Sequence, residues 1–111
     1  MALLIAQNIV QTGLAPVLAL ASVTGDQFTY KTNRFLLVNN ADVLPMNVTV
    51  NSVELCSQGF DHDDVVTVAA GTQKMVGPFA LRFVDPSSIV SITYSSITSV
   101  SVAILELPAP I

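Results

Sequence analysis

Residues 89–105 read IVSITYSSITSVSVAIL. Val90, Ile92 and Tyr94, and then Val100, Val102 and Ile104, stand two apart, with serine, threonine or alanine between them. An extended chain turns successive side chains to opposite faces, so a period of two describes strands with one dry face and one wetter face. The stretch therefore reads as two strands, 89–94 and 98–105, separated by Ser95-Ser96-Ile97 and paired as an antiparallel hairpin.

Working back from there, VAAGTQKMVGPFALRFVDP at 68–86 repeats the pattern. Arms at 64–69 and 73–76 flank Ala70-Gly71-Thr72, where Gly71 supplies the positive φ of a tight hairpin or bulged turn. Gly77-Pro78 ends or bends the second arm, and Phe79, Leu81 and Phe83 resume packing beyond the corner. Upstream, 46–54 alternates, with Met46, Val48 and Val50 opposite Asn47, Thr49 and Asn51. Arg34-Phe35-Leu36-Leu37-Val38 is nearly continuous in apolar character and belongs in the middle of a sheet. Shorter runs at 3–11, 17–22 and 28–30 are cut by Thr12-Gly13 and Thr24-Gly25-Asp26. About 8 short strands divided by turn residues describe an all-β, single-domain antiparallel β-sandwich, jelly-roll or Ig-like.

Composition bears on partners. The 111 residues fit one domain; 51% are hydrophobic and 11% charged, against about 25% charged in an average soluble domain. A domain of this size buries only about two thirds of the surface its unfolded chain exposes, so apolar surface is left over for contacts with other molecules. The net charge of −4 rests on only four cations, Lys31, Arg34, Lys74 and Arg82, scattered along the chain. Nucleic acid requires a clustered basic face, and none is present in the sequence. The single cysteine, Cys56, cannot form an intrachain disulfide and reads as a small buried residue. The first 22 residues have no basic leader and are interrupted by Gln7, Asn8, Gln11 and Gly13, and no run reaches membrane-spanning length. The expectation is a protein used without export and without a membrane.

Catalytic chemistry finds little material. Asp61-His62-Asp63-Asp64 is the only dense polar cluster, but it lacks the glycine and downstream glutamate of a calcium loop and has no second histidine. It reads as a solvated turn. With one histidine, no nucleophile elbow and no phosphate-binding glycine loop, no catalytic, cofactor or metal residues are assigned. The absence of tryptophan, with only two tyrosines, disfavours a carbohydrate platform. Lys74 and Arg82 are the candidate contacts to an acidic partner. The apolar terminal segments 1–6 and 107–111, the latter with Leu107, Pro108, Pro110 and Ile111, are candidate arms, because two prolines prevent the tail from continuing a ladder.

Taken in order, Gly25-Asp26-x-Phe28, Arg34-Phe35-Leu36-Leu37-Val38-Asn39-Asn40, Val48-Thr49-Val50, Val68-Ala69-Ala70-Gly71-Thr72, Gly77-Pro78-Phe79 and the closing pair of strands give the whole chain a familiar layout. It resembles the small all-β virion proteins of tailed bacteriophages that decorate or cement the capsid. The resemblance implies a homotrimer made in the host cytoplasm, seated on the outside of the assembled shell against the major capsid protein and locking neighbouring capsomers together. It transfers no catalytic residue. Head–tail connector and tail ring proteins share such small folds and form the alternative.

Overall fold

The computed structural model describes residues 2–53 and 63–108. In chain order its strands are β1 (Ala2–Leu3), β2 (Ala6–Asn8), β3 (Ala19–Leu20), β4 (Asp26–Thr29), β5 (Arg34–Asn40), β6 (Met46–Val50), β7 (Asp64–Val68), β8 (Thr72–Val76), β9 (Ile89–Tyr94) and β10 (Val100–Glu106). One 3-10 turn, Leu81–Phe83, follows β8. The strands form two facing sheets, in the orders β1-β4-β9-β6-β7 and β2-β10-β5-β8, with β3 also pairing with β10. From β3 onward this is the jelly-roll order, the first strand beside the eighth, third and sixth, and the second beside the seventh, fourth and fifth. The body is a slab 45 × 41 × 20 Å, its short dimension set by two stacked layers.

Alternation places one face of most strands between the sheets. Phe28, Leu36, Val38, Val48, Val50, Val68, Val90, Ile92, Val102 and Ile104 are fully buried there, each contributing about 1.5–3 kcal/mol through removal from water. β5 runs between β10 and β8, the interior position its apolar sequence requires. On β6, Met46, Val48 and Val50 point inward and Asn47 outward, as the alternation predicts.

Two hairpins expected from the sequence are absent. β9 lies in one sheet beside β4 and β6, whereas β10 lies in the other beside β5. Likewise β7 pairs with β6 and β8 with β5, so Gly71, at φ +69°, turns a corner between sheets. Apolar alternation marks which face is dry; it does not say whether the next strand pairs alongside or crosses the core. From β3 to β10 only β6 and β7 are neighbours both in sequence and in a sheet. A third expectation fails at Leu81, which is 69% exposed because the 3-10 turn directs Phe83, and not Leu81, into the core.

The N-terminal run divides, because the chain crosses from one sheet to the other. β1 adds in parallel to β4, and β2 adds in parallel to β10, so the sheets are mixed at this edge and antiparallel elsewhere. Leu4 and Ala6 pack on the core between them, while Leu3 and Ile5 remain exposed.

Candidate interaction surface

β10 buries both faces. Val102 and Ile104 enter the core, and Ala103 and Leu105 join Leu37 in a second cluster on the outer face of the sheet, under Ile9, Leu14 and Leu18. The segment 9–18 is thus a strap. Gln7 staples it: its side-chain amide donates to Val17 O at 2.7 Å and accepts from Val17 N at 2.9 Å. The strap covers only part of the face. Between it and β8 lies a depression of about 290 Å³ lined by Leu14, Pro16, Leu37 and Met75 among others. Met75 also borders a second one of about 260 Å³, floored by Phe35 and walled by Pro78 and Leu107. Met75 is 68% exposed between them.

The predicted contact residues fall in separate places. Lys74 is exposed on the edge strand β8, in register with Val38, and forms no ion pair with another described residue. Arg82 lies in the 3-10 turn, 3.5 Å from Asp64 and with its guanidinium 4.4 Å from the centroid of the Phe83 ring. Leu107 is fixed to Asn33, whose backbone oxygen accepts from Leu107 N at 2.9 Å and whose side-chain amide donates to Leu107 O at 2.6 Å. Pro108 follows, exposed. Pro110 and Ile111 lie outside the described residues, as do Cys56, Asp61 and His62. Asp63 accepts from Ser52 N, and Asp64 faces Arg82, so both take part in local structure. Among the described residues no cluster of three metal-ligating side chains occurs, and no helix is long and apolar enough to cross a membrane.

Two polar groupings are legible only in three dimensions. Arg34 and Glu106, registered across β5 and β10, bond at 2.7 Å, with Lys31 at 3.9 Å. The Arg34 hydrogen bond, aided by the charges of Lys31 and Arg34 and opposed by burial, holds the Glu106 carboxyl below its ordinary 4.5. Asp26 is fully buried, and its Oδ2 accepts from Tyr94 OH at 2.7 Å and Ser22 N at 3.3 Å. Burial first, then the Asp26 hydrogen bond and charge, push the Tyr94 hydroxyl well above its usual range.

Neither the strap nor Met75 is legible in the sequence, since residue type alone does not distinguish either from core. A valine following Asp42 in a turn, where polar residues predominate, did carry a signal. Comparison with known proteins finds no matching family model, no matching curated protein and no matching solved structure.

Proposed function

We propose that this chain is a structural virion protein that binds the outside of an assembled phage capsid, self-associates as a trimer and cements neighbouring capsomers. The observation that carries the reading is apolar surface left open on a sandwich with few charges: Met75, Leu81 and Val43 stand well over half exposed. Exposed apolar surface on this scale fits a component whose partners are other proteins. Cementing a container needs no bond-making chemistry, because a ligand that binds only the assembled lattice lowers the free energy of that state by mass action. Many subunits on one lattice make modest individual affinities collectively strong.

The test is co-sedimentation of the purified chain with shells that lack it. Binding to expanded shells, weakened by Lys74→Glu, by Arg82→Glu or by removal of residues 107–111, is the expected result. Absence of binding to shells of any form contradicts the proposal.

A further inference from the structure

The turns β3–β4 (21–25), β5–β6 (41–45), β7–β8 (69–71) and β9–β10 (95–99) gather at one end of the sandwich, because each pair of strands enters and leaves there. Hydrogen bonds tie them together. Ala41 N donates to Ser99 O and Ala21 N to Val100 O. The buried Asn40 side chain donates to Leu44 O at 2.9 Å and Val68 O at 3.1 Å. Ser95 Oγ accepts from Asn47 N at 2.7 Å. The end is therefore a built surface.

Its side chains have the wrong character for water. Val23 is 81% and Val43 85% exposed, with Leu44 and Ile97 exposed beside them. The only charged residue in these four turns is Asp42. The far end carries the charge, in Lys31, Arg34, Glu106, Asp63, Asp64, Arg82 and Asp85, and all the ion pairs among described residues lie there.

We propose that this end is the surface through which copies of the chain associate, loop end to loop end. Once copies of the chain self-associate, charge decides which end they bring together. Two chains of net charge −4 repel each other through most approaches, and this end allows contact with little like-charge opposition. Interface cores are depleted in charge in the same way. A bilayer is disfavoured, because the end lacks the basic and aromatic residues that anchor a protein at a lipid surface. The inference rests on the self-association part of the reading above and names the face that performs it.

The experiment is the native mass of the purified chain and of three single variants, Val23→Glu, Val43→Glu and Leu81→Glu. All three sites are more than two thirds exposed, so the fold should survive, and an unchanged far-UV circular dichroism spectrum verifies this. The unaltered chain and Leu81→Glu, altered at the far end, are expected to give the same multiple of 11.7 kDa. Val23→Glu and Val43→Glu are expected to fall to the mass of one chain. The inference is overturned if the unaltered chain has the mass of one chain, if the loop-end variants associate undiminished, or if Leu81→Glu dissociates equally. Capture by phosphatidylcholine vesicles, lost in Val43→Glu, overturns it by assigning the end to lipid. Shell binding with a single-chain mass removes this inference together with the self-association part of the reading above and leaves capsid binding standing; stable association through this end with no shell binding removes only the virion reading.

Discussion

Tyr94 and Asp26 form a polar pair against a largely apolar interior, and Asp26 Oδ1 has no hydrogen-bond partner among the described residues. Tyr94→Phe leaves the carboxylate with Ser22 N alone, which should cost about 1–3 kcal/mol in denaturant unfolding. The same pair sets an alkaline limit. Because the Tyr94 hydroxyl is held above its ordinary 10.0, its contribution is complete below that pH. Above it the unfolded chain ionises first and stability falls. A Tyr94→Phe variant should lose that part of the slope. Glu106 acts with the opposite sign: held below 4.5, it contributes above that pH, and the contribution disappears as pH falls through the lowered value. Glu106→Gln should therefore flatten the acid limb of the stability curve, and an unchanged limb would refute the role given to Arg34.

Which strands meet can be tested directly. Ser101 is registered with Asn39 on β5, whereas Ser91 and Ser101 would oppose each other only if residues 89–105 closed as a hairpin. In a Cys56→Ser background, Asn39→Cys with Ser101→Cys should cross-link on oxidation, since registered positions bring Cβ atoms within disulfide reach. Ser91→Cys with Ser101→Cys should not, because those positions lie in different sheets. The distinction also locates what the sequence holds. Alternation in Met46–Val50 and Ile89–Tyr94 is imposed by the dry and wet faces of one strand, so strand existence and facing were legible. Pairing depends on where the turn at 95–99 or 69–71 sends the chain, and neither Ser95-Ser96 nor Gly71 encodes that choice locally. Gln7 was equally silent: its staple to Val17 is made ten residues away, through a strap that has no periodicity.

The whole molecule is a slab with a charged end, an apolar end whose turns carry a single charge, Asp42, and an outer face only partly roofed by the strap. Length and composition anticipated the surplus of apolar surface, because a chain with 11% charged residues cannot cover itself with polar groups. They did not place it. The contact residues chosen from sequence were the cations and the tail, whereas the fold also leaves Val23, Val43 and Leu44 exposed in the turns of one end and Met75 exposed on β8. The most direct test of the account is the copy number of this chain relative to the major capsid protein in purified virions, by quantitative mass spectrometry. Lattice-wide decoration requires an amount equal to that of the shell protein or a simple fraction of it. An amount equal to a single ring, or absence from the particle, would contradict it.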